Sequence, residues 1–236
     1  MNALVAGGAG GIGTALVEAL AQRDQIKCVH ASYHRCEPSL VHPKVQWHNT
    51  DLTNDQAVGE LLASIDAPLN YVVNAAGVLH DAVGRPETAV RRLDPEFFMH
   101  NMRVNALPTL LLAKHAEALL KGSEQGVFAT VSARVGSIEE NSLGGWVSYR
   151  SSKAALNMAL KTLSIEWRRT LPLIVVAALH PGTTVTPLSA PFRGGVAPDK
   201  LFSPSQSAAY MLAVIDKLTP ADSGRFWSWD GSELPW

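Results

Sequence analysis

Asn2-Ala3-Leu4-Val5-Ala6-Gly7-Gly8-Ala9-Gly10-Gly11-Ile12-Gly13 decides the fold of this 236-residue chain. A short apolar run feeds a glycine cluster, which gives way to a helical pattern at Leu16, Val17 and Leu20. In the order strand, glycine turn, helix, backbone N–H groups can approach a pyrophosphate held at the helix N-terminus. Two glycine frames fit at once: Gly8, Gly10 and Gly13 as G-x-G-x-x-G, and Gly7, Gly11 and Gly13 as G-x-x-x-G-x-G. The expected ligand is a dinucleotide.

Outward from this stretch, strands and helices alternate. A second strand is expected from about Ile26 to Ala31, a third at Val45 to His48, a fourth at Leu69 to Val73, a fifth at Gly126 to Val131, a sixth at Leu173 to Leu179 and a last at Arg225 to Trp229. Long helices are expected at about Asp94 to Leu120 and Ser148 to Arg169, and a shorter one from Ser203 to Leu218. Such alternation predicts an α/β fold: a Rossmann-type doubly wound parallel sheet of about seven strands, with helices on both faces. Residues 1–236 read as a single domain. The Pro- and Gly-rich segment from Pro187 to Phe202 has no periodicity and is expected to cover a ligand as a loop.

The end of the second strand selects the dinucleotide. An acid about 20 residues after the glycines accepts the adenosine 2′-hydroxyl in enzymes that use the unmodified ribose. Here the sequence is Ala31-Ser32-Tyr33-His34-Arg35, with no acid before Glu37. Arg35, with His34 and Ser32, instead suits a 2′-phosphate, so NADP(H) is expected over NAD(H), which stays possible. After the third strand, Asp51 and Leu52 come next. Asp51 either accepts from the adenine amino group or N-caps the helix beginning near Thr53 or Asn54.

Trp146-Val147-Ser148-Tyr149-Arg150-Ser151-Ser152-Lys153 carries the chemistry. Positions i and i+4 share a helix face, so Tyr149 and Lys153 point into the same space. Bringing a phenol from about 10 to about 7 takes about 4 kcal/mol. An ammonium at about 4 Å supplies an amount of that order at an effective dielectric near 20. Desolvation opposes it, so the lysine alone is marginal and a second positive charge would help.

The formal net charge of −1 gives no electrostatic case for nucleic acid or an anionic membrane. Hydrophobic residues make up 47% and charged residues 17%, which supplies a large core and excludes disorder. No run reaches the length of a membrane span and no secretory leader is visible, so a cytoplasmic location is expected. Cys28 and Cys36 fit neither a zinc spacing nor a disulfide framework, and no metal is expected.

The glycine loop, Asn74-Ala75-Ala76-Gly77, Asn105, Tyr149-x-x-x-Lys153 and Pro181-Gly182-x-x-x-Thr186, in this order and spacing, resemble the short-chain dehydrogenase/reductase family over essentially the whole chain. Ala133-Arg134-Val135-Gly136-Ser137-Ile138, Gly144 to Arg150 and the closing Trp229 to Trp236 are similar to the branch holding the C-factor signalling protein and sniffer-type carbonyl reductases. The resemblance implies that Tyr149 donates or accepts the substrate proton, Lys153 bonds the nicotinamide ribose and tunes the phenol, and Asn105 holds a relay water. It implies further that Gly7, Gly10, Gly11, Ile12 and Gly13 line the pyrophosphate. Asn74, Ala75, Ala76 and Gly77 would line the adenosine side, and Pro181, Gly182, Thr184 and Thr186 the nicotinamide end.

Two departures stand out. Ala75 replaces the family's second Asn, and Ala133 occupies the position of the serine that polarises the carbonyl. Ser132, one residue earlier, is the catalytic candidate there, with Ser137 as a substitute. Trp146, Leu143, Val185, Leu188 and Phe192 are expected to make the substrate pocket apolar. The implied function is reversible hydride transfer between NADP(H) and a small carbonyl or alcohol substrate, in a homodimer or homotetramer. The alternative is a nucleotide-binding signalling or regulatory protein of the C-factor type with weak or incidental turnover.

Overall fold

The computed structural model describes all 236 residues. In chain order the elements are β1 (Asn2–Ala6), α1 (Gly11–Ala21), β2 (Cys28–Tyr33), β3 (Val45–Asn49), α2 (Asp55–Ala63), β4 (Tyr71–Asn74), α3 (Pro95–Asn105), α4 (Leu107–Lys121), β5 (Gly126–Val131), α5 (Val147–Thr170), β6 (Ile174–His180), β7 (Thr183–Thr184), β8 (Leu201–Phe202), α6 (Pro204–Ile215), β9 (Arg225–Ser228) and β10 (Glu233–Leu234). The main sheet has the order β10-β9-β6-β5-β4-β1-β2-β3, and all its pairs are parallel except β9 with β10. The expected doubly wound architecture is therefore present, with eight strands rather than about seven. Leu234 supplies the extra strand by turning back to pair with Phe226.

β1 shows why these strands read as continuous apolar runs. Leu4 and Ala6 enter the core on one face of the sheet while Ala3 and Val5 enter the core on the other, so alternation across the pleat still buries every position. The first core is closed by α2, α4 and α5, and the second by α1 and α6. Leu112, Leu156 and Leu160 are fully buried in the first, and truncating any of them to alanine costs about 2–5 kcal/mol.

Two expectations are corrected. The long helix expected from Asp94 to Leu120 is two helices that break at Ala106 (φ −107°, ψ −48°). Pro108 causes the break, because it lacks the N–H that would bond residue 104 and its ring crowds that carbonyl. The segment from Pro187 to Phe202 is not all loop, since Leu201 and Phe202 pair with Thr183 and Thr184 as a small separate sheet. A two-residue strand has too few positions to show alternation.

Strand order reverses at β1, which has β2 on one side and β4 on the other. In open α/β sheets the ligand crevice opens at the carboxyl ends of the strands at this switch point. The glycine turn after β1 and the Ala75-Ala76-Gly77 turn after β4 meet there: a Cβ on Gly7 (φ +73°) would lie 2.7 Å from Ala76 N.

Candidate active site

The glycine turn is built by exclusion of side chains. A Cβ on Gly13 would lie 2.1 Å from the Gly7 carbonyl oxygen, and one on Gly11 would lie 2.7 Å from Thr186 Cγ2. The turn is tied by Gly10 N–H to Gly7 O (3.1 Å) and by the Thr14 hydroxyl to Gly8 O (3.0 Å). Ser32 accepts from Gly7 N–H at 2.9 Å, so its buried hydroxyl supports the turn. Gly10 offers no side chain to cap α1. The first N–H groups of that helix are thus left to a ligand, and the dipole there favours an anion. These features fit a pyrophosphate.

Above the turn lies a cavity of about 510 Å³, bordered by Gly10, Gly11, Ile12, Ala75, Ala76, Gly77, Ser132, Tyr149, Lys153, Pro181, Gly182, Thr184 and Thr186 among the expected residues. Gly7 and Gly13 lie behind it, in the turn itself. Asn74 is buried beneath, accepting from Ala76 N–H at 3.0 Å and donating to Thr109 at 3.0 Å. His34 and Arg35 stand exposed just past β2. Asp51 does not cap α2, a task taken by Asn54; it accepts instead from Thr53 N–H and Oγ1 at 2.9 and 2.8 Å. Its partial burial raises the carboxyl pKa, but the two Thr53 bonds, with His34 and Arg103 nearby, bring it below its ordinary value. Leu52 is buried in the core beside it.

α5 delivers the reactive pair. Tyr149 borders the cavity, and its hydroxyl makes no hydrogen bond within the chain. Lys153 Nζ donates to the Val131 carbonyl at 3.0 Å and lies 5.9 Å from the Tyr149 ring centre. Burial pushes the phenol above its ordinary value and the amine down to about 8. The sequence arithmetic, with lysine pulling the phenol down, is thus overridden by desolvation in the protein alone. Gly136 makes room for the lysine, since a Cβ there would meet Lys153 Cβ at 2.7 Å.

Asn105 is fully buried, and its amide is fully used. Oδ1 accepts from Val78 N–H at 2.7 Å, while the two Nδ2 hydrogens are shared among Val78 O and Ser152 Oγ, each at 2.9 Å, and Asn101 Oδ1 at 3.2 Å. The side chain therefore clamps the turn after β4 to α5. Ser132 Oγ donates to Asn157 Oδ1 at 2.6 Å, so this hydroxyl is spent on α5. Ser137, the other serine considered, donates to Trp236 O at 3.2 Å. Thr184 shares a hydrogen bond with Ser207 at 2.6 Å. Gly182 (φ +74°) has no room for a side chain, since a Cβ would sit 2.5 Å from the Phe202 ring.

Trp146, Leu188 and Phe192 border the cavity as expected, whereas Leu143 and Val185 do not. Leu143 is 89% exposed in the turn before Gly144, and Val185 points outward beside the two-residue β7. Leu79, Val135, Val196, Arg134 and His180 also border the cavity, and none of them is a site residue expected from sequence. His180 Nδ1 is buried without a partner, and burial pushes its ring down to about 4, so the imidazole is neutral.

Trp146 precedes α5 in the left-handed region (φ 53°, ψ 38°) and is the chain's only non-glycine residue with positive φ. Such a conformation costs about 1–3 kcal/mol. It aims the indole edge-on at Phe192 (centroids 4.9 Å apart) and at Tyr149 (6.5 Å).

The chain matches the short chain dehydrogenase family over residues 1–196. It is 37% identical over 174 residues to C-signal of Myxococcus xanthus, covering 72% of this chain and 93% of that protein. It is 35% identical over 191 residues to 1-hydroxy-2-glutathionyl-2-methyl-3-butene dehydrogenase of Rhodococcus sp. (strain AD45), covering 79% and 78% of the two chains. The solved carbonyl reductase Sniffer of D. melanogaster superposes with a TM-score of 0.86 at 26% identity, covering 100% of this chain and 99% of that one. With the switch-point crevice, the side-chain-free glycine turn and the Tyr149–Lys153 pair on one cavity, these matches place the chain in the short-chain dehydrogenase family of oxidoreductases.

Proposed function

We propose that the protein is an NADP(H)-dependent reductase of small apolar carbonyl compounds, acting reversibly on the corresponding alcohols. The observation that carries this reading is the free Tyr149 hydroxyl, bordering the same cavity as the glycine turn with Lys153 behind it. A bound nicotinamide dinucleotide supplies or accepts the hydride. The protein's part is to bind, orient and move the proton. Gly11 and Ile12, in the first turn of α1, would present N–H groups to the pyrophosphate, and Arg35 and His34, exposed past β2, would take the 2′-phosphate. Tyr149 gives its proton to the alkoxide oxygen as negative charge develops there, or takes it back in the reverse direction. Lys153, when protonated, offsets the charge left on the phenolate and offers N–H groups to the ribose. Asn105 braces this arrangement by joining Val78 to Ser152.

Trp146, Phe192, Leu188 and Leu79 make the substrate end apolar. The segment from Pro187 covers it, held by His80 Nε2 against the Pro187 and Leu188 carbonyls at 3.3 and 3.1 Å. Met158 and Ile165, seven residues apart on the outer face of α5, stand exposed and suit pairing of two copies. NADPH oxidation with a panel of carbonyl compounds tests the reading, and a folded protein inert toward all of them refutes it.

A second reading is favoured by Ala133 and by the identity to C-signal: a nucleotide-binding signalling protein in which turnover is incidental. No helix is long and apolar enough to cross a membrane, so on either reading the chain itself offers no helical span.

A further inference from the structure

Glu87 is the chain's one buried acid. It makes no ion pair, and its hydrogen-bond partners all lie at the start of α5. Its carboxylate accepts from the Ser148 hydroxyl and, at 3.2 Å, from Ser148 N–H. Its main-chain oxygen accepts from Trp146 N–H at 2.6 Å. A carboxylate withdrawn from water needs compensating donors. The first turn of a helix supplies them, together with the positive end of the dipole. Trp146 stands at the N-cap position but has no side-chain acceptor to offer, and the first turn of α5 holds no acid of its own. Glu87 therefore reaches in from a segment about 60 residues upstream to cap the helix that carries Tyr149 and Lys153.

The same clasp fixes Trp146. Gly144 and Gly145 enter the turn with φ of 63° and 67°, at no cost to glycine, and Trp146 continues it at 53°. A bulky aromatic stays in that region only where its surroundings over-determine it. Here the main chain is held by Glu87 and the indole by Phe192. Trp146 borders the cavity and Glu87 does not.

We propose that Glu87 is a positioning residue that sets substrate choice: by pinning Trp146 in the left-handed turn, it builds the Trp146–Phe192 wall beside the Tyr149 phenol. That wall selects carbonyl compounds carrying a flat aryl group over small aliphatic ones. The proposal rests on the carbonyl-reducing reading, and its test separates the two.

Steady-state kinetics with an aryl ketone and a short aliphatic aldehyde, and deuterium exchange read by mass spectrometry, are compared in the parent, Glu87→Ala and Glu87→Gln. In Glu87→Ala the aryl-ketone KM rises at least tenfold, while the KM values for the aldehyde and NADPH stay within about threefold. Exchange over residues 144–152 rises several-fold there and nowhere else. Glu87→Gln, which can accept from Ser148 N–H and donate to its hydroxyl, restores most of both. An unchanged aryl KM with unchanged exchange overturns the proposal, as does an equal rise in all three KM values. If Glu87→Ala does not fold, Trp146→Gly removes the wall and the left-handed penalty together. An unchanged aryl KM in that variant also overturns the proposal. A parent inert toward every carbonyl refutes the reductase reading instead, and the exchange arm still decides whether Glu87 holds the turn.

Discussion

Lys153 Nζ donates to the Val131 carbonyl at 3.0 Å and stands 5.9 Å from the centre of the Tyr149 ring, so in the protein alone the amine is tied to the strand rather than to the phenol. Both groups are buried, and burial works against the charged form of each. The amine titrates near 8 in the fold against 10.5 when unfolded. Between those values the unfolded chain binds more protons, so stability rises with pH across the window and is lost as pH falls through 8. Relative to Lys153→Met, which has no amine to titrate, the parent should gain about 2 kcal/mol between pH 8 and pH 9.5. Urea unfolding of both proteins at the two pH values measures this. A constant difference would mean that the amine is solvated. The Tyr149 contribution is common to both proteins and cancels.

Removing the phenolic oxygen tests the proton path directly. Tyr149→Phe keeps the ring that meets Trp146 edge-on and loses only the hydroxyl, which bonds nothing else in the chain. Carbonyl-dependent NADPH oxidation should fall about 10²- to 10⁴-fold, the range for loss of a general acid. NADPH affinity by fluorescence titration should change less than threefold. Retention of the parent rate would assign the proton to another group.

The parts of this molecule legible in sequence were those fixed by local rules. The glycine turn had to follow an apolar strand, and Tyr149 and Lys153 had to share a helix face. What escaped depended on contacts between distant segments. Nothing around Glu87 marks it, because a lone glutamate in an aperiodic stretch acquires meaning only when Ser148 is folded against it. The size of the desolvation at Tyr149 is hidden for the same reason: charge spacing can be counted along a helix, whereas the burial that raises the phenol in the protein alone depends on everything packed around it. The break at Ala106 went unread although its cause is local, since Pro108 stands in the middle of the expected helix and proline there removes a hydrogen bond. Strand β10 was not legible, because two residues carry no period.

Cofactor choice separates two residues that looked alike in sequence. Arg35 is exposed past the end of β2, whereas the Ser32 hydroxyl is buried against Gly7 N–H. A charge-assisted hydrogen bond of about 1.5–3 kcal/mol corresponds to roughly a ten- to hundredfold preference. Arg35→Ala should therefore raise the KM for NADPH by about that factor and leave NADH unchanged. Ser32→Ala should weaken both dinucleotides alike, since it loosens the turn that serves either. An equal loss for both cofactors in Arg35→Ala would place the 2′-phosphate elsewhere.

The outer face of α5 predicts assembly. Met158 and Ile165 are 66% and 55% exposed and lie two helical turns apart on one side. Light scattering should give at least twice the 25.3 kDa chain mass at micromolar concentration. The double substitution Met158→Glu with Ile165→Glu should return the monomer mass without lowering Tm by more than a few degrees. A parent that is already monomeric would remove this face from consideration.

The hydroxyl missing at Ala133 decides between an efficient enzyme and a nucleotide-binding signal protein. Ser132 Oγ donates to Asn157 at 2.6 Å and holds β5 to α5, so it can reach a carbonyl only by giving up that bond. Neighbouring side chains at a strand end project to opposite sides, which puts residue 133 rather than 132 on the side away from Asn157. A preorganised donor beside a developing oxyanion contributes on the order of 10²- to 10³-fold in kcat. Ala133→Ser should accordingly raise kcat at least tenfold with aryl and aliphatic carbonyls alike, while Ser132→Ala should lower Tm and change kcat less than tenfold. If Ala133→Ser gains nothing and Ser132→Ala loses 10²-fold, Ser132 is the working donor after all and its bond to Asn157 opens when substrate binds. If neither changes the rate, the carbonyl is polarised from elsewhere, and the neutral imidazole of His180, whose buried Nδ1 has no partner on the next strand, becomes the group to replace first.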